Sequence, residues 1–260
     1  NNLFITVDTG FAFVDTGDNK IRLKYELTIK TYGTNVARED IAAGSVSVNL
    51  ARLIPATTDT PSYWINYVQR GETISNALYP MPSGTVRNQA TTETAGTGLA
   101  GINGIWTNLG SGNYQYTTRV AISDPIVINV GITSVNLAAD TTQTHRIGFQ
   151  FSGVGVGIAG ANNGCYDFRP SDGVTSETTI GHREVVNINN CNECHKTLAL
   201  HGGGRLETKY CVQCHNTTTT DANSGNIVDF KVMIHKIHMG HDLPSVEAGT
   251  PYKIWGYNNS

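Results

Sequence analysis

IRLKYELTIK, residues 21–30, alternates without a break. Ile21, Leu23, Tyr25, Leu27 and Ile29 fall on one side, and Arg22, Lys24, Glu26, Thr28 and Lys30 on the other. A period of two with one apolar side marks a β-strand half-buried on a sheet. NYQYTTRVAI, residues 113–122, repeats the pattern with Tyr114, Tyr116, Thr118, Val120 and Ile122 on one side. Further strands are expected at 3–7, 11–14, 45–53, 63–68, 126–132, 145–158 and 184–188, stretches rich in the β-branched and aromatic residues that pleated surfaces favour. Asp-Thr-Gly at 8–10 and 15–17, Pro55, Pro61, Pro80-Met81-Pro82 and Asp124-Pro125 punctuate these runs as turns. Before residue 190 there is no helical periodicity beyond a short turn near 36–43. Residues 94–112 hold six glycines and read as a long, mobile loop; no helix follows whose N-terminus could make it a phosphate cradle. Many short strands without intervening helices predict a mainly β N-terminal domain over residues 1–185, Greek-key or split-barrel-like.

The whole chain has 260 residues, 18 Lys+Arg against 21 Asp+Glu, and a net charge of -3. So few cations exclude a nucleic-acid surface, which needs clustered Lys and Arg. No apolar run approaches the ~18–20 residues of a membrane-spanning helix. The opening NNLFITV carries neither Met nor a signal-peptide pattern, so a processed or partial chain is expected. Placement says more than totals. Cys191, Cys194, Cys211 and Cys214 are four of the five cysteines, and His195, His201, His215, His235, His238 and His241 six of the eight histidines. All lie between 191 and 241, inside a second expected unit, residues 186–260.

Residues 191–195 read CNECH and 211–215 read CVQCH. Each is C-x-x-C-H, the attachment signature of c-type haem. Two thiols add across the two vinyl groups of one porphyrin, two intervening residues let one helical turn present both sulfurs, and the following His falls beneath the ring to ligate iron. The rival is zinc, because the segment also fits C-x2-C-x16-C-x2-C. Zinc does not require a His after each pair and leaves the other histidines idle. A thioredoxin-type redox pair would need a surrounding βαβ unit.

Two haems with two protein ligands each need four imidazoles. His195 and His215 are the proximal pair. His201 in LALHGGGR, and His235 and His238 in VMIHKIHMG, are the distal candidates. Residues 227–239 read as a helix, which puts His235 and His238 on nearly one face, one turn apart. Met233 and Met239 are weaker sixth-ligand candidates, since histidine is in surplus. The run Gly202-Gly203-Gly204 suits either close approach to a flat macrocycle or a flexible linker. His145 reads as a hydrogen-bonded strand histidine, His182 as a non-ligand, His241 as either a further distal ligand or an ordinary histidine, and Thr60-Pro61-Ser62 as a turn rather than an oxide-contact motif. Cys165 is a buried free thiol or the partner of a cysteine outside this chain.

CNECHKTLALHGGGR, YCVQCHN, VDFKVMIHKIHMG and LPSVEAG together resemble the OmcA/MtrC family of outer-membrane multihaem, typically decahaem, cytochromes c. The resemblance is specific over about residues 183–257 and architectural before that. It implies a β-barrel-like domain followed by a domain packed with bis-His c-haems. Carried onto this chain, it makes Cys191, Cys194, His195, Cys211, Cys214 and His215 the haem-bearing positions, and His201, His235 and His238 distal ligands. One of those three then serves a haem whose attachment motif lies elsewhere. Two CxxCH units against the family's usual ten imply the opening part of a longer protein. The implied function is electron transfer, not enzymatic turnover, through two covalent c-haems on the outer surface of the cell. Other cytochromes or an outer-membrane electron conduit would be partners, and metal oxides, metal complexes or flavins acceptors. A terminal reductase with an open iron site and a zinc-stabilised binding module are the alternatives.

Overall fold

The computed structural model describes residues 3–15, 17–31, 33–74, 81–84, 86–130, 133–151, 162–175 and 178–255. Thirteen strands come first: β1 Leu3–Asp15, β2 Ile21–Thr31, β3 Val46–Ile54, β4 Tyr63–Asn66, β5 Gln69–Thr73, β6 Val86–Ala90, β7 Glu93–Gly96, β8 Asn103–Gly110, β9 Asn113–Thr117, β10 Ile126–Val130, β11 Thr133–Leu137, β12 His145–Phe151 and β13 Asn162–Phe168. Among the described residues four α-helices follow: α1 Ile188–His195, α2 Thr208–Cys214, α3 Phe230–Met239 and α4 Pro244–Glu247.

One sheet runs in the order β1-β2-β9-β8-β7-β3-β12-β13, with β4 hydrogen-bonded to β3. All its pairings are antiparallel except β7 with β8. The last strand curls back beside the first: a Cβ on Gly164 of β13 would lie 3.4 Å from Ile5 of β1. The sheet is therefore a nearly closed barrel, the expected fold class. Its interior is filled by the alternating residues that define it. Leu23, Tyr25, Leu27 and Ile29 of β2 and Tyr114 and Tyr116 of β9 are fully buried, with Trp106, Phe149, Phe151 and Phe168 around them.

The Gly-rich stretch departs from expectation. Residues 94–112 are not a mobile loop; they contain most of β7 and all of β8. Gly104 has no side chain because Tyr116 occupies the space: a Cβ there would fall 2.6 Å from the Thr117 carbonyl and closer still to the Tyr116 hydroxyl. Glycine supplies clearance in a packed strand here. The strand expected at 184–188 is also absent. Asn187 instead caps α1, its side-chain oxygen accepting the Asn189 N–H at 2.9 Å. The expected run at 113–122 is strand only to Thr117. The expected strands at 126–132 and 145–158 are present as β10 and β12, and their last residues lie outside those described.

His145 is fully buried in β12, as a hydrogen-bonded strand histidine. Its Nδ1–H donates to the Gln143 carbonyl at 2.9 Å, which leaves Nε2 to accept the Tyr67 hydroxyl at 2.7 Å. Burial pushes its proton affinity down to about 4. The unfolded chain binds a proton at about 6.5, so this site contributes stability above that pH and loses it as the pH falls through about 4. We expect the wild-type protein to lose roughly 2–3 kcal/mol more than a His145→Gln variant between pH 7 and pH 4. Urea unfolding at several pH values checks this; parallel curves for the two proteins would contradict it.

Candidate haem sites

The two CxxCH helices meet the barrel differently. α2 lies on it. Tyr210, Val212, Gln213 and Cys214 are buried, and Gly148 of β12 is bare because a Cβ would come 2.3 Å from Gln213 Nε2 and 2.9 Å from the Tyr210 ring. Ala51, Leu53 and Trp64 of the barrel pack with Val212 of α2 and Phe230 of α3 in one apolar cluster. Arg146 of β12 reaches the same junction. Its guanidinium pairs with both Asp167 oxygens at 2.6 Å, lies 4.2 Å over the Trp64 ring, and donates to the Lys209 carbonyl at 3.3 Å. α1, by contrast, buries no residue in the barrel.

Cys214 Sγ points toward the barrel, 3.5 Å from Asn49 Nδ2 and 3.7 Å from Asn66 Nδ2. Burial pushes the Cys211 thiol up to about 11 and raises that of Cys214. Among the described residues, no group of three or more His, Cys, Asp or Glu side chains converges on one point. The four cysteines do not form the four-thiolate cage that their spacing also allowed.

The histidines do converge, in pairs. The rings of His195 and His238 have centres 6.1 Å apart, and those of His201 and His215 are 5.9 Å apart. Each pair joins one CxxCH histidine to one distal candidate. Two imidazoles on opposite sides of one metal, each bonded at about 2 Å, place their ring centres about 6 Å apart.

Local structure sets these positions. Leu200 and Arg205 exchange backbone hydrogen bonds at 3.0 and 3.2 Å, closing a tight turn over 201–204. Within it His201, Gly202 and Gly203 all have positive φ, at 52°, 73° and 84°. The glycines therefore serve the turn that swings His201 toward His215. His215 Nδ1–H donates to the Val228 carbonyl at 3.1 Å, and His238 Nδ1–H to the Ile234 carbonyl at 2.8 Å. Both bonds fix the tautomer that leaves the Nε2 lone pair for a metal, the outer-shell orientation that ligating histidines characteristically receive. Burial further disfavours protonation of His215. We expect Gly203→Ala to cost about 1–2 kcal/mol in the turn through its left-handed backbone, and to weaken the low-spin haem signal of the His201–His215 pair in the loaded protein; an unchanged spectrum would contradict that role.

Residues 183–256 match the family model for domains II and IV of the outer membrane cytochromes MtrC and MtrF. The multihaem cytochrome MtrC of Shewanella baltica is 35% identical over 68 residues, which are 25% of this chain and 10% of that protein. The crystal structure of the outer membrane decahaem cytochrome OmcA superposes with a TM-score of 0.76 at 26% identity, over 99% of this chain and 36% of OmcA. Residues 183–256 are thus similar to domains II and IV of these cytochromes, and the chain as a whole is similar in fold to part of OmcA. The crystal structure of Shewanella baltica MtrC shares the fold, with a TM-score of 0.61 at 19% identity over 92% of this chain and 33% of that one. The chain thus spans about a third of the length of those structures.

The similarity of residues 183–256 to multihaem cytochromes makes haem c the cofactor to test against these residues, and they fit it. Each CxxC pair sits on a helix, and each following histidine faces a second imidazole at the separation one iron requires. His235 stands outside both pairs, exposed on α3. His241 lies 2.8 Å from Asp242, and His182 Nδ1 lies 3.5 Å from Asp167. Cys165 lies under α2, 3.8 Å from Gln213 Nε2, and burial pushes its thiol up to about 12, the behaviour of an inert thiol. Thr60-Pro61-Ser62 ends a turn closed by the Thr57 N–H on the Thr60 carbonyl at 2.8 Å.

Proposed function

We propose that this chain is an electron-transfer segment of an OmcA/MtrC-type cytochrome, holding two c-haems by two imidazoles each. Cys191, Cys194 and His195 with His238 hold one; Cys211, Cys214 and His215 with His201 hold the other. The observation that carries this reading is the two imidazole pairs at 6.1 and 5.9 Å. When bound, haem supplies a one-electron Fe(III)/Fe(II) couple. The protein residues fill both axial positions, which leaves no coordination site for oxygen or another substrate. They also keep the two irons close: from His195 to His201 is six residues, which reach at most ~21 Å.

The division of labour follows the chain. Residues 1–185 form the barrel and residues 186–260 the haem-bearing unit, with α2 fixed to the barrel and α1 clear of it. His235, left over here, is the distal ligand of a haem attached outside this chain. The protein is extracytoplasmic, at the outer surface, as its family is. It takes electrons from partner cytochromes or an outer-membrane conduit and passes them to metal oxides, metal complexes or flavins. Intact mass after denaturation tests the cofactor directly. The expected mass exceeds that of the 28.0 kDa polypeptide by two haems. A colourless protein of bare polypeptide mass would select the zinc-stabilised module instead.

A further inference from the structure

Glu93 opens β7 in the barrel interior and is 1% exposed. Its carboxylate accepts three hydrogen bonds: from the Tyr116 hydroxyl at 2.5 Å, the Arg119 N–H at 2.7 Å and the Val120 N–H at 2.6 Å. None of these donors is a cation. The nearby cations are directed elsewhere: Arg119 donates through Nε to the Gly101 carbonyl, and Arg22 pairs with Asp18 through both guanidinium nitrogens. Tyr25 of β2, three strands away across the barrel sheet, interacts electrostatically with the carboxylate, as Tyr116 does with Tyr210 of α2. A buried carboxylate held by neutral donors is poised between its charged and neutral forms, and burial pushes the Glu93 carboxyl up to about 7.

The position of Glu93 connects it to a haem site. Thr91, two residues before it, has its carbonyl 3.9 Å from Cys214 Sγ. Asn66 joins the two, donating to that carbonyl at 3.1 Å while lying 3.7 Å from the sulfur. Thus β7 begins directly beneath the helix that carries the second CxxCH. Arg119 and Val120, whose N–H groups Glu93 holds, are half-buried, so solvent is one residue away.

We propose that Glu93 is a redox-linked proton acceptor for the iron held by His215 and His201. Glu93 takes up one proton from solvent, passing from carboxylate to carboxylic acid, when that iron gains one electron from a reduced partner haem and passes from Fe(III) to Fe(II). The uptake offsets the charge the electron brings into a low-dielectric barrel. On oxidation the proton returns to solvent. The inference rests on the haem assignment above. The expected coupling is a change of about tenfold in the proton affinity of Glu93 when the iron is reduced. Tenfold corresponds to about 59 mV for a one-electron couple.

Potentiometric titration of the haem-loaded protein between pH 5.5 and 8.5 tests it. The expected result is a midpoint for one of the two haems that falls by about 59 mV in total as the pH rises through 7. In Glu93→Gln this fall disappears while the low-spin spectrum stays unchanged. Tyr116→Phe removes a donor to the charged form, so the pH window moves upward. Reduced-minus-oxidised infrared spectra of the wild type should gain a carboxylic acid C=O band that Glu93→Gln lacks. A full pH dependence retained in Glu93→Gln, or no such band in the wild type, would overturn the proposal. A protein without two haems by mass would instead overturn the haem assignment.

Discussion

His201→Ala and His238→Ala each leave two haems covalently attached and open one iron of the two. Each variant is expected to bind carbon monoxide in its reduced form, with a Soret shift carried by half of the haem. The mechanism is direct. Attachment depends on Cys191, Cys194, Cys211 and Cys214, whereas His201 and His238 supply only the sixth ligand across a 5.9 or 6.1 Å ring separation. Loss of that imidazole leaves a five-coordinate iron with an open position. Methionine in place of His238 should refill the site and raise the potential of that haem, by on the order of 100 mV given the span axial ligands command. His235→Ala is the contrasting variant. His235 lies one helical turn from His238 but outside both pairs, so both haems of this chain stay six-coordinate. Opening of an iron by His235→Ala, with none by His238→Ala, would reverse the pairing described above.

Arg146→Ala should cost about 3–5 kcal/mol in urea unfolding. Arg146 is 0% exposed and its partner Asp167 8% exposed. Removing the guanidinium strands a carboxylate in the barrel wall, and an uncompensated buried charge costs more than the pair itself is worth. The same side chain stacks on Trp64 and donates to the Lys209 carbonyl in α2, so the loss also loosens α2 from the barrel. Domains of this kind are stable by only about 5–15 kcal/mol in all. The double replacement Arg146→Met with Asp167→Leu should recover much of the loss, because neither charge then remains. A cost below about 1 kcal/mol for Arg146→Ala would mean that Asp167 finds another partner.

The barrel was largely legible in the sequence, because a half-buried strand writes its period directly. Residues 23–30 alternate in the structure as they do in the text, whereas at the start of the strand Ile21 is exposed and Arg22 is buried against Asp18. Residues 94–112 misled because glycine carries two meanings. Six glycines within nineteen positions read as mobility, yet Gly104 is bare to admit Tyr116, a neighbour on β9 that the sequence does not announce. Residues 184–188 misled for a local reason: Val185, Val186 and Ile188 are β-branched residues that strands favour, but Asn187 ends the run by capping α1. In the candidate site the CxxCH motifs were plain, since covalent attachment imposes a fixed spacing. The distal pairing was not. It depends on a turn with three consecutive positive φ values at His201, Gly202 and Gly203, and on the rotation of α3, which selects His238 over His235 although both lie on nearly one face. Glu93 was invisible for a third reason. Its chemistry comes from burial and from partners on distant strands, and an isolated Glu in TTETAG carries no pattern.

Two histidines on each iron, His195 with His238 and His215 with His201, would leave neither open to a small ligand. Adding carbon monoxide to the dithionite-reduced wild-type protein, with two haems verified by mass, tests it most directly. A Soret band that does not move is the expected result. A substantial carbon monoxide-induced shift would show an open iron and contradict it.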